Sequence, residues 1–169
     1  MIIGNPDCFA VIFEVVGSWN ADKTFQNGIL FLAVNGEIFP KEIQSATLSY
    51  EFHELIDSLK NIPVNEKIFS MPTEKAYREI CNLVYPEDWD IDNDYRYIIS
   101  TPSFSDNDYL VFAVSNGEKV RILAGKPDYC KEESIYILEG AEITETFIDI
   151  SDLNKITDKL SNIDIRSDL

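Results

Sequence analysis

The chain has 169 residues, 45% apolar and 12% aromatic, and its 30 acidic against 14 basic side chains give a formal charge of −16. Such a length and apolar content suit one folded globular domain, while the shortage of Lys and Arg argues against direct binding to nucleic acid or to an anionic membrane surface. No apolar run approaches the ~18 residues of a membrane span, and 1–7 lacks a basic n-region, so neither a transmembrane segment nor a secretory leader is expected.

From the N-terminus, 8–16 is an apolar run rich in β-branched and aromatic residues and predicts a buried strand. A second strand is expected over 25–34, with a local irregularity at Asn27-Gly28. Asn35-Gly36 then supplies a tight turn into a short strand at 37–39. Phe52, Leu55, Ile56 and Leu59 follow helical spacing and predict a helix over 50–59. Another helix is predicted over 72–85, with Ser70 as its cap, Pro72 in its first turn and Pro86 as its stop. The segment 95–100 reads as a strand. Two strands at 109–115 and 119–124 flank Asn116-Gly117, the strongest hairpin signal in the chain. Two further strands are expected at 134–138 and 143–150, around Glu139-Gly140. A terminal helix follows, capped by Ser151 or Asp152, with Leu153, Ile156 and Leu160 facing inward. Together these predict an α+β fold, a single domain over 1–169 with a largely antiparallel sheet of six to eight strands and about three helices.

The three cysteines (Cys8, Cys81 and Cys130) are odd in number, far apart and without a CxxC pair, as in a reduced cytoplasmic protein. His53 is the sole histidine, and no GxSxG, HExxH, Walker or GxGxxG pattern occurs. Neither a catalytic set nor a cofactor is therefore expected. The alternating acids Asp88, Asp90, Asp92 and Asp94 invite a calcium-loop reading. That reading fails in both registers, because Asn93 or Tyr95 falls where the sharp-turn glycine belongs and Ile99 or Thr101 where the bidentate glutamate belongs.

The charge is concentrated. Segment 87–108 carries Glu87, Asp88, Asp90, Asp92, Asp94, Asp106 and Asp108 against Arg96 alone, and segment 128–152 carries eight acids against Lys131. Together they hold 13 of the 16 excess negative charges. Like charges so grouped destabilise the compact state but accelerate the approach of a cationic partner. Trp89, Tyr109 and Tyr129 are the aromatic anchors expected beside them, with Asp128, Glu132 and Glu133 completing the candidate partner surface.

The opening Met1-Ile2-Ile3-Gly4-Asn5-Pro6 and the following Phe9-Ala10-Val11-Ile12-Phe13-Glu14 resemble the start of a family of bacterial immunity proteins. So do Trp19, Phe25-x-Asn27-Gly28-x-Leu30-Phe31, Asn35-Gly36-Glu37-Ile38-Phe39-Pro40 and Thr47-Leu48. The family is Immunity protein 42 of polymorphic-toxin systems, and the resemblance covers about the first 60 residues. It implies a non-enzymatic, cytoplasmic inhibitor that binds a cognate toxin domain, and it supplies no catalytic residue. An acidic inhibitor suits a basic toxin domain such as a nuclease, whose phosphate-binding cleft it would cover. The alternative is an acidic protein-binding module with no toxin, whose charge serves only solubility.

Overall fold

A computed structural model of the chain describes residues 1–20 and 25–163. A five-stranded antiparallel sheet forms from β1 (Ile2–Asn5), β2 (Phe9–Val15), β3 (Asn27–Val34) and β4 (Glu37–Phe39) in that order, with β5 (Ala46–Thr47) also paired to β3. Its register aligns Ile3, Val11, Leu32 and Phe39 across four strands, and all four point into the main core. The turn between β3 and β4 is made by Asn35 and Gly36, at φ of 49° and 81°, as the Asn-Gly pair predicts. At Gly28 a Cβ would lie 2.1 Å from the Glu14 carbonyl oxygen, so only glycine lets β2 and β3 approach there.

The second sheet orders β10 (Ile143–Asp149), β7 (Lys119–Gly125) and β6 (Leu110–Ser115), again antiparallel. Every residue of β6 is buried, which explains its unbroken apolar run. Val111 and Ala113 face the main core, shared with the first sheet, α1 (Leu48–Lys60) and α5 (Ile150–Ser161). Leu110, Phe112 and Val114 face a second core under α2 (Glu66–Phe69) and α3 (Thr73–Val84). A further short helix, α4 (Pro102–Ser105), precedes β6, and β8 (Asp128–Cys130) with β9 (Ile135–Ile137) forms a separate two-stranded hairpin.

The α+β class and antiparallel sheets agree with the sequence, and several details differ. The described residues form ten strands and five α-helices, more than predicted, because β1, β5, β8, α2 and α4 span four residues or fewer and carry no usable periodicity. The expected strand at 95–100 is a 3-10 turn over Tyr95–Tyr97, capped by the Asp94 side chain, followed by a single bridge from Ile98 to Phe112. Segments 134–138 and 143–150 do not pair with each other: Gly140, at φ 77°, turns the chain so that β9 joins β8 and β10 joins β7. Ser70 closes α2 rather than capping α3, Pro72 takes the cap position of α3, and Asp149 takes that of α5. At Asn116-Gly117 only Gly117 has positive φ, and the Asn116 side chain instead accepts from the Glu118 and Lys119 amides.

Glu51 ties α1 to α4 from inside the protein. It is 4% exposed, and its carboxylate accepts from the Ser103 hydroxyl at 2.5 Å, from the Thr101 hydroxyl, and from the Thr47 amide at 3.1 Å. Glu51→Ala strands these donors and should cost about 1–3 kcal/mol in chemical denaturation. Glu51→Gln retains an acceptor and should cost less.

Candidate functional site: an acidic face and an adjoining groove

The first acidic run is an ordered loop because its base closes the open end of α3. Asn93 donates its side-chain amide to the Val84 carbonyl at 2.8 Å, and the Asp94 amide donates to the Leu83 carbonyl at 2.8 Å. Asp94 also receives Arg96 through both Nε (2.8 Å) and Nη2 (2.7 Å), and these bonds hold its carboxyl below the ordinary aspartate range. Asp88 accepts from the Asp90 amide and shapes the loop crest. Asp94 is therefore half-buried and neutralised, whereas Glu87, Asp88, Asp90 and Asp92 stand in solvent. Trp89 is 93% exposed, and Ile91 beside it 57%.

The β8–β9 hairpin stands next to this loop. Tyr85, Glu87, Asp88 and Trp89 share a cleft of about 230 Å³ with Glu133 and Ile135, so the fold brings the two acidic segments together. Four tyrosine rings join them: Tyr129 lies 4.9 Å from Tyr136, Tyr136 lies 5.1 Å from Tyr85, and Tyr85 lies 6.3 Å from Tyr95. Burial pushes the Tyr85 hydroxyl up to about 12. Tyr136 is raised too, by burial first and then by Tyr85 and the Asp108 carboxylate, and Asp108 is half-buried. Glu132 and Glu133 are exposed at the hairpin tip, Tyr129 is 39% exposed, and Asp106 is exposed just after α4.

Tyr109 is the exception. It is 2% exposed and shares the inward side of β6 with Val111 and Ala113. Its ring packs on Phe39 at 6.3 Å and lies beneath the Lys126 ammonium at 4.6 Å. Burial, with the Glu42 carboxylate second, pushes its hydroxyl up to about 12. It is a core residue, not an exposed anchor. Tyr85 and Tyr136, which link the loop to the hairpin, are the members that sequence reasoning missed. Asp128 sits on the far side of the hairpin, where it lines a groove of about 470 Å³ with Lys41 and Lys126.

That groove meets a larger one, of about 730 Å³, across the 139–144 segment. One wall of the larger groove carries Asn35 and Glu37, and the other carries Thr73, Glu74 and Arg78 of α3. Behind it, Arg121 is 3% exposed and holds the parts together. Its guanidinium donates to Glu145 through Nη2 (2.6 Å) and Nε (2.8 Å), and to the Phe69 and Met71 carbonyls at 2.9 and 2.6 Å. His53 is exposed on α1, away from any of these groups' hydrogen bonds.

A sequence model of the family described as Immunity protein 42 matches residues 1–163. The chain belongs to the Immunity protein 42 family. As an immunity protein it binds and neutralises a cognate toxin. The match extends the likeness seen in the first 60 residues through the hairpin, the groove and α5. Among solved structures, the Immunity protein 42 chain is similar to the crystal structure of CdiI from Burkholderia dolosa AUO158, with TM-score 0.76 and 24% identity over 95% of this chain and 98% of that one. At that identity the likeness carries the fold. No curated protein matches the chain. No helix among the described residues is long and apolar enough to cross a membrane.

Proposed function

We propose that this immunity protein acts in the cytoplasm by binding alone, as a single non-catalytic domain that covers the active site or substrate groove of a basic toxin domain. The receiving surface is the face built from 87–92, Asp106, Asp108, Tyr129, Glu132 and Glu133, with Asp94 and Asp128 at its margins. The observation that carries this reading is the shared cleft of the two acidic segments, crowned by an indole that buries almost nothing in the free chain. A protein gains no folding stability from an exposed Trp among like charges, whereas a large aromatic ringed by anions suits a hot spot against a cationic surface. A nuclease fits as partner, since a cleft that binds phosphate is cationic and the acidic face competes for it.

Co-expression with the toxin domain encoded immediately upstream tests the reading. Growth should be rescued and the two proteins should co-purify. A toxin that still kills, with no complex recovered, contradicts it. An acidic module without a toxin would give neither rescue nor complex.

A further inference from the structure

An open strand edge forms the floor of the larger groove. β10 is paired on one side only, to β7. The Ile150 amide donates to the Glu118 carbonyl at 3.0 Å, continuing the β10–β7 register, so the even-numbered residues of β10 are those bonded to β7. In an antiparallel ladder the N–H and C=O of one residue point the same way, and the direction alternates along the strand. The backbone groups of Ile143, Glu145 and Phe147 therefore point away from β7. The Cys8 thiol meets the Phe147 carbonyl from that outer side at 3.5 Å and closes the edge there. Among the described residues, the outward backbone groups of Ile143 and Glu145 have no protein partner.

Exposed sheet edges are usually short, charged or covered, and a groove built along one is a place for an added strand. The walls select its charge. Glu37 and Glu145 are engaged by Lys41 and Arg121, which leaves Glu74, Glu139 and Glu142 against Arg78 in the larger groove. Lys41 and Lys126, which share the smaller groove with Glu139 and Glu142, are themselves paired with Glu37 and Glu42. The groove also continues past 139–144 into the one that Asp128 and Ile137 line, so it runs up to the far side of the hairpin whose near side carries the acidic face. We infer that an extended, lysine- or arginine-bearing segment of the toxin pairs with β10 at Ile143 and Glu145, as a fourth strand of the three-stranded sheet. This inference rests on the proposed function and adds to it a backbone-mediated contact beside the acidic face.

Residue-resolved amide hydrogen exchange of the full chain, alone and with the toxin domain encoded upstream, tests it. In the free protein Thr144 and Thr146 should be protected by the ladder while Ile143 and Glu145 exchange quickly. In the complex Ile143 and Glu145 should slow at least about ten-fold. Ile143→Pro removes an outward N–H at the first residue of the strand together with a half-buried side chain packed on the second core, so Ile143→Ala, which keeps the N–H, is its control. The proline chain should retain the fold and bind the toxin at least about ten-fold more weakly than the alanine chain. A complex that forms with Ile143 and Glu145 still exchanging quickly overturns the added strand and leaves the proposed function standing. Absence of any complex overturns the proposed function and the strand with it. Protection in the free chain that rises with protein concentration places a second copy on the edge and overturns the toxin strand.

Discussion

Arg121→Ala should cost about 2–3 kcal/mol of folding stability. The guanidinium is almost wholly buried, and four groups depend on it: the Glu145 carboxylate, the Phe69 and Met71 carbonyls, and the Thr73 hydroxyl at 3.3 Å. The two carbonyls belong to the end of α2 and the link into α3, so Arg121 fastens both helices to the second sheet. Removing it takes the guanidinium from the Phe69 and Met71 carbonyls and leaves the Glu145 carboxylate, 29% exposed, with the Thr73 hydroxyl as its side-chain donor. Glu145→Gln is the milder control, since its one amide oxygen can still accept from Arg121 while its NH2 can donate to the Thr73 hydroxyl, which now donates to Glu145 at 2.7 Å. Denaturant titration measures both. A shifted midpoint at constant slope reports lost stability, and an Arg121→Ala midpoint close to that of the parent chain would contradict the assignment.

Trp89→Ala should act in the opposite way, with the fold unchanged and the complex weakened. An indole 93% exposed contributes almost no burial to the free protein, so its truncation should leave the denaturation midpoint in place. If it anchors the toxin, the complex should lose about 2 kcal/mol or more, which is roughly 30-fold in affinity. The loss should appear in the dissociation rate, because short-range contacts form after encounter, and the association rate should change little. Surface-immobilised toxin and a dissociation series give this directly. Equal dissociation rates for Trp89→Ala and the parent chain would remove the indole from the interface.

The long elements were legible because their burial is periodic. α1, α3 and α5 each present an apolar stripe to a core, and the 115–119 hairpin announces itself through Asn116-Gly117. The candidate face was legible only as charge. That the loop and hairpin meet depends on β8 pairing with β9 through 131–134, where Ser134 at φ 56° takes the place an Asn-Gly would mark. Nor does sequence spacing link Tyr85, at the end of α3, with Tyr136 fifty-one residues later. Tyr109 was misplaced because its neighbouring acids suggested exposure. The alternation that sets it beside Val111 and Ala113 was the stronger signal, since a strand sends every second side chain to one face. Asp94 looked like one more surface charge, yet its side chain is spent on Arg96 and on starting the 3-10 turn.

A face that draws in a cationic toxin domain should betray itself in association kinetics measured across ionic strength. Asp90→Lys with Asp92→Lys reverses two exposed charges at the loop crest and leaves the Asp94–Arg96 pair intact. The parent chain should bind its toxin with a rate that falls steeply as salt rises from about 10 to 150 mM, over which the screening length shrinks from about 30 to 8 Å. The doubly reversed chain should associate at least about ten-fold more slowly at low salt, with a flatter dependence, and converge with the parent chain at high salt. Identical association rates for the two chains at low salt would mean that the acidic face plays no part in drawing in the toxin.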